Sequence, residues 1–185
     1  LPWSDINYHK PESDLKRDVV LYYGFVSRLD LKLVDELCNS GIKLRFVGPV
    51  QGNGLEVKRK YASFPNIEFL SETKLVDLDV SDVCCSIALY DKTVESIQAI
   101  TASNRMFQLL AMGLPLVYPN LPNLIEAPRQ VIAKCTSISE FLDAITYFKV
   151  NFNQVQPMIE YFLSDHTKAK RSQYMEHLLE SLSNT

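Results

Sequence analysis

The segment Ser103–Val117 reads Ser-Asn-Arg-Met-Phe-Gln-Leu-Leu-Ala-Met-Gly-Leu-Pro-Leu-Val, and it admits little other than a helix, a tight exit and a buried strand. Ser103 suits the N-cap, where its hydroxyl accepts a hydrogen bond from a free N–H of the first turn. Met106, Leu109, Leu110 and Gly113 recur at helical spacing and form one apolar face. Arg105 and Gln108 share a different face, close to the helix start. Gly113 suits the left-handed residue that closes a helix, and Pro115 blocks continuation. Leu116-Val117-Tyr118 then enters a strand. The start of such a helix offers free N–H groups and partial positive charge, to which Arg105 adds a full one. The segment therefore predicts an anion site, for phosphate first of all.

The rest of the chain alternates strands and helices. Val19-Val20-Leu21-Tyr22-Tyr23 is a β-branched and aromatic run that stops at Gly24, and it predicts the first strand. Leu33, Val34 and Leu37 place a helix over 31–38, ending at Asn39-Ser40-Gly41. A second strand is predicted at 44–47, closed by Gly48-Pro49, and residues 51–63 read as a polar, mobile loop with some helix. Residues 66–70 predict a third strand and 74–78 a short helix. Val83 to Leu89 is nearly continuous apolar sequence, as expected of a strand covered on both faces of a parallel sheet. Residues 91–102 read as loop, with Val94 and Ile97 able to form a turn of helix. A further strand is expected at 131–133, and helices at 138–149, 156–163 and 168–182. Repeated βα units with right-handed crossovers give an α/β fold with a doubly wound, mainly parallel, Rossmann-like sheet.

Composition excludes several classes. At 185 residues one domain with a sizeable core is the default, and a formal net charge of −3 gives no field for nucleic acid or a membrane surface. No apolar run reaches the roughly 18 residues of a spanning helix, and no signal-peptide pattern opens the chain. The chain starts at Leu1 rather than Met and reads as a piece of something longer. Cys38, Cys84, Cys85 and Cys135 have no C-x-x-C spacing and read as buried, reduced thiols of a cytosolic protein. His9, His166 and His177 fall away from the strand ends, so no metal or general-base role is expected of them. No P-loop, G-x-G-x-x-G or G-x-S-x-G run occurs. Gly52-Asn53-Gly54 lies in a polar stretch, rather than between a strand and a helix, and reads as a simple turn. The acidic run from Asp77 to Asp82 reads as a solvent face with a cap.

The Ser103–Val117 segment resembles the signature of the C-terminal, nucleotide-sugar-binding domain of GT-B glycosyltransferases, Pro-x-Lys-x-x-Glu-x-x-Ala-x-Gly-x-Pro-Val-Val. Aligned on Ala111, Gly113 and Pro115, Arg105 takes the Lys position, Gln108 the Glu position and Ser103 the Pro position. The resemblance continues through nearly the whole chain. Residues 1–15, with Asp5-Ile6-Asn7 and Pro11, are similar to the connector between the family's two domains. Tyr23-Gly24-Phe25-Val26-Ser27-Arg28 matches the glycine turn and basic residue after the first strand. Asn66 to Leu70, a short helix and Asp82-Val83 match the lead into the fourth strand, and Leu89-Tyr90 its end. Ser139-Glu140-Phe141 opens a late helix, and Asp165-His166-Thr167 with Ala169 and Arg171 resembles the closing helix, without its usual Trp.

That resemblance implies an organisation of connector 1–15, nucleotide-sugar-binding domain 16–165 and C-terminal helix 166–185. It implies the donor-binding half of a hexosyltransferase-like enzyme, with catalytic residues and acceptor site in an N-terminal domain of the same chain. Donor phosphates would be neutralised by Arg105 and the helix start, and Gln108 would take the ribose. No metal or cofactor is expected, and no nucleic-acid partner. Location would be cytoplasmic, with membrane association at the inner face available through the other domain. Geometry adds Gly24, Arg28, Ser103 and Asn104 around the diphosphate, because ligands of open α/β sheets sit beyond the carboxyl ends of the strands. Tyr90 either lines the donor pocket or caps the sheet, and Asp91 and Glu95 either meet sugar hydroxyls or are solvated. A nucleotide-sugar epimerase of the same fold, or a non-catalytic nucleotide-binding or partner domain, stands as the alternative. Gln in place of Glu at 108 speaks for the non-catalytic reading.

Overall fold

The strands at the heart of the sheet are covered on both faces. All five residues of Val83–Ile87 are buried, and so are four of the five in Val19–Tyr23 beside it. In the computed structural model, which describes residues 7–13 and 15–183, six strands form a single sheet. They are β1 (Val19–Tyr23), β2 (Lys43–Val47), β3 (Ile67–Leu70), β4 (Val83–Ile87), β5 (Leu116–Pro119) and β6 (Ile132–Cys135). The order is β3-β2-β1-β4-β5-β6 and every pairing is parallel. This is the doubly wound, Rossmann-like α/β sheet expected from the sequence. The winding direction reverses between β1 and β4, which leaves a crevice beyond their carboxyl ends.

Helix α1 (Leu31–Asn39) is capped by Asp30, whose carboxylate accepts from the Leu33 N–H at 3.0 Å. It buries Leu33, Val34, Leu37 and Cys38. Residues 51–63, expected as a polar, mobile loop with some helix, hold an eight-residue helix, α2 (Gly54–Tyr61). Its only buried side chains are Val57 and Tyr61, set among Glu56, Lys58, Arg59 and Lys60, so its helical period is thin in sequence. Docking against α1 holds it, together with an ion pair of 2.6 Å from Lys60 to Asp35. Gly52-Asn53-Gly54 therefore does sit between a strand and a helix, contrary to the sequence reading.

A four-residue turn of helix, α3 (Glu95–Gln98), precedes α4 (Asn104–Ala111). The exit of α4 is a Schellman motif. Leu114 N–H bonds to Leu109 O at 3.1 Å and Gly113 N–H to Leu110 O at 2.8 Å, with Gly113 at φ +76°. The two late helices expected at 138–149 and 156–163 lie within α5 (Ile138–Ser164), which breaks at a kink where Asn151 leaves helical geometry at φ −107°, next to the expected end of the first; the second part begins earlier than expected. Pro157 costs the helix a bond, but Phe152, Val155 and Ile159 keep the inner face buried, so the chain resumes. Helix α6 (Lys168–Ser183) is exposed from residue 168 to residue 182.

Of the connector expected at 1–15, residues 1–6 and 14, including Asp5 and Ile6, lie outside the described residues. Residues 7–13 run past the end of α4 and along α5. His9 N–H donates to Ala111 O at 2.8 Å, Pro11 packs on Gly113, and Tyr8 donates to Gln156 Oε1 at 2.9 Å. All four cysteines are buried and free of disulfides. No described helix is long and apolar enough to cross a membrane.

Leu21 is fully buried in the middle of β1. Leu21→Ala is expected to lower the unfolding free energy by about 2–5 kcal/mol, since it leaves a cavity where both faces of the sheet are covered. A urea melt with unchanged slope and a lower midpoint would show it.

Candidate functional site

Gly24 ends β1 with φ +140°, a conformation natural to glycine, and its N–H bonds to Val47 O at 2.8 Å. Gly48 ends β2 in the same way, at φ +131°. A Cβ on Gly48 would lie 2.3 Å from Gly24 O, so the two strand ends close glycine on glycine. Beyond them the loops are tied together. Val26 N–H meets Pro49 O at 2.8 Å and Gln51 N–H meets Val26 O at 3.0 Å. The Asn53 amide bonds both the N–H and the C=O of Leu29, at 3.3 and 3.0 Å.

The start of α4 faces this corner. Ser103 caps the helix, its hydroxyl accepting from Met106 N–H at 3.3 Å. Two residues on, the Arg105 guanidinium lies against Gly24 so closely that a Cβ there would fall 2.1 Å from Nη1. It also stands 6.0 Å from the centre of the Tyr23 ring. Among the described residues no carboxylate pairs with it. The titratable neighbours below are the phenols of Tyr22 and Tyr118, both pushed up by burial and so neutral. Arg105 is a half-buried cation without a counter-charge.

Arg28 approaches from the same loop. It is the one non-glycine residue with positive φ (52°) among the described residues, and its Nη1 donates to Ser96 Oγ of α3 at 3.0 Å. Tyr90 follows β4, forms a bridge with Leu29 and meets Tyr118 edge to face at 6.2 Å. It therefore both lines the crevice and covers the sheet end.

Beside this corner lies a cleft of about 840 Å³, within the usual range for small-ligand sites; Ser103 caps α4 but is not part of its wall. Arg28, Tyr90 and Arg105 are in its wall, and Gly24 lies directly beneath the Arg105 guanidinium. Asn104 is exposed at the first turn of α4, and Gln108 lies one turn further along; neither is part of the wall. Asp91 is in the wall, its carboxyl held below the usual range by hydrogen bonds from the Thr93 hydroxyl and N–H, whereas Glu95 is exposed outside it. The sequence reading missed Phe25, the 51–53 loop and the apolar side chains of Val94, Ile97 and Ile100. One signal was available: Gly48 follows its strand as Gly24 does.

The remaining candidates lie elsewhere. His166 packs on the rings of Phe107 and Phe162, at 5.0 and 4.6 Å, and no histidine lines the cleft. Asp82 is paired with both Nη atoms of Arg45, at 2.9 and 2.8 Å, and Asp79 caps Ser81 N–H. Among the described residues no three His, Cys, Asp or Glu side chains are grouped to hold a metal.

No protein-family model matches the sequence, and no curated protein matches it. Solved structures match the fold. TarM superposes with a TM-score of 0.69 at 10% identity over 92% of this chain and 36% of its own. HepE from Anabaena in complex with UDP gives 0.65 at 12% over 92% of this chain and 50% of its own. BGT of T4 phage in complex with UDP and Mn2+ gives 0.64 at 14% over 95% of this chain and 50% of its own. The chain thus spans half, or less, of the length of the structures it matches, and at these identities the likeness is one of fold. That fold is one Rossmann-like domain of the GT-B glycosyltransferases.

Gly24→Ala adds a Cβ into the Arg105 guanidinium and forces a strained backbone, whereas Gly41→Ala, at φ +78° with nothing within 4 Å, adds backbone strain alone. Each is expected to cost about 1–3 kcal/mol of stability, with Gly24→Ala the larger in paired denaturant melts. Equal costs would mean that Arg105 moves aside freely.

Proposed function

We propose that this chain is the donor-binding domain of a glycosyltransferase and that its cleft takes the diphosphate of a nucleotide sugar. The observation that carries the reading is the Arg105 guanidinium, seated on Gly24 beyond the end of β1 with no carboxylate paired to it among the described residues. A diphosphate there meets Arg105, the free N–H groups at the start of α4 between Ser103 and Arg105, and Arg28 from the loop after Gly24. Two guanidinium groups and a helix start supply the positive charge, so donor binding proceeds without a divalent cation. Tyr90 walls the pocket, Asn104 adds its N–H to the helix start, and Gln108 accepts from the ribose further along α4. UDP is the first ligand to try, because HepE and T4 phage BGT were each solved with it.

Sugar transfer needs an acceptor, and with inversion a catalytic base as well, and this reading assigns both to a second domain of the full enzyme. The cleft holds no histidine, and its one carboxylate, Asp91, is already bonded to Thr93 and held ionised, which suits it to sugar hydroxyls better than to proton transfer. The 185-residue chain alone binds nucleotide and does not turn it over.

Calorimetric titration with UDP, GDP and ADP in EDTA is the test. One diphosphate is expected to bind, and Arg105→Ala to weaken it at least about tenfold, or about 1.4 kcal/mol. Unchanged affinity in Arg105→Ala would overturn the phosphate role of Arg105. Binding that appears only with added Mn2+ would overturn the metal-free neutralisation.

A further inference from the structure

Arg28 is held in an unusual way. Its backbone is pinned in left-handed geometry, with its C=O accepting from Asp91 N–H at 3.0 Å and the next residue, Leu29, bridged to Tyr90. The side chain, by contrast, is exposed, and among the described residues it pairs with no carboxylate. Its guanidinium reaches to the facing lip of the cleft and donates to Ser96 Oγ at 3.0 Å. Ser96 stands on a fixed post. Its neighbour Ile97 is buried, the Gln98 side chain donates to Lys92 O, and Gln98 O accepts from the Asn123 amide at 3.0 Å.

An exposed Arg–Ser hydrogen bond adds little to folding stability. A long guanidinium side chain, however, loses much rotamer freedom when it closes on a phosphate, and a partner that orders it beforehand removes part of that cost. One Nη hydrogen bond to Ser96 leaves the other guanidinium donors for an anion. We propose that Ser96 is a positioning residue: it holds Arg28 across the cleft in the orientation that meets the donor diphosphate. The proposal rests on the donor-binding reading of the same cleft. Ser96 acts through Arg28 and not on the ligand.

The test is a double-mutant cycle by calorimetry, using whichever of UDP, GDP and ADP binds the wild-type chain most tightly. The variants are Ser96→Ala, Ser96→Thr, Arg28→Ala and Arg28→Ala with Ser96→Ala, each checked for an unaltered melt. Ser96→Ala is expected to weaken binding about two- to tenfold, the range set by ordering one such side chain. Ser96→Thr, which keeps the hydroxyl, should restore it, and Ser96→Ala should cost nothing more once Arg28 is absent. Equal or tighter binding by Ser96→Ala overturns the inference, and so does a full loss in the Arg28→Ala background, which would make Ser96 a direct contact. If the wild type binds none of the three diphosphates, the donor reading falls and this inference with it. If the wild type binds, Arg105→Ala does not, and Ser96→Ala is unaffected, the inference alone falls.

Discussion

The contact between the Arg105 guanidinium and the bare α-carbon of Gly24 depends on most of the fold. Gly24 must lack a side chain, and β1 must end where β2 ends, glycine on glycine, for that carbon to be accessible. Helix α4 must start at Ser103 to put Arg105 in its first turn, and must leave through the Gly113 exit to deliver β5 alongside β4. The sheet must reverse direction between β1 and β4 for the crevice to exist. A cation in that corner is thus the product of strand order, two turns and a helix cap together.

Magnitudes indicate which part of this arrangement dominates for an anion. A unit charge about 4 Å from another is worth about 4 kcal/mol at an effective dielectric constant of 20. The helix start contributes about 0.3–1 kcal/mol at an exposed site. For an anion, the half-buried Arg105 therefore outweighs the dipole of α4, whereas the exposed Arg28 is screened by solvent and comes nearer to it. The neutral phenols of Tyr22 and Tyr118 beneath Arg105 matter for the same reason. A carboxylate in either place would satisfy the guanidinium internally and leave an incoming anion little to gain.

The strands were legible in the sequence as short runs rich in apolar and β-branched residues, and β4 announced its central place by being apolar but for Ser86. Helix α4 was legible to its caps, since Ser103, Gly113 and Pro115 each have a local reason to be there. Helix α2 was legible only as some helix within a loop, because two apolar positions in a charged stretch define no face until α1 supplies something to pack against. In α5 the break at Asn151 was legible beside residue 149, but the turn ahead of Pro157 was not, because a proline speaks locally for a helix start and the buried Phe152 and Val155 overrule it. At the cleft, Gly24, Arg28, Tyr90 and Arg105 could be named because each hangs from the end of a strand or the start of a helix. The 51–53 loop and the 94–100 segment could not, since only the order of strands brings them together.

The two sides of the cleft are built on different principles, and that difference bears on what each can select. One side is the glycine corner and α4, fixed by close backbone approach and by the buried side chains of Met106, Phe107 and Leu110. A diphosphate has the same shape in every nucleotide sugar, so a rigid wall of charge suits it. The other side, residues 91–100, is short on regular structure and held by side-chain bonds: Asp91 to Thr93, Gln98 to Lys92, Asn123 to Gln98 and Arg28 to Ser96. Its apolar groups, Val94, Ile97 and Ile100, are carried on that segment rather than on the sheet. Loops of this kind change sequence without disturbing the core. On the donor-binding reading, recognition of the variable part of the ligand therefore belongs to the 91–100 side, and the Arg28–Ser96 bond is where the two sides meet.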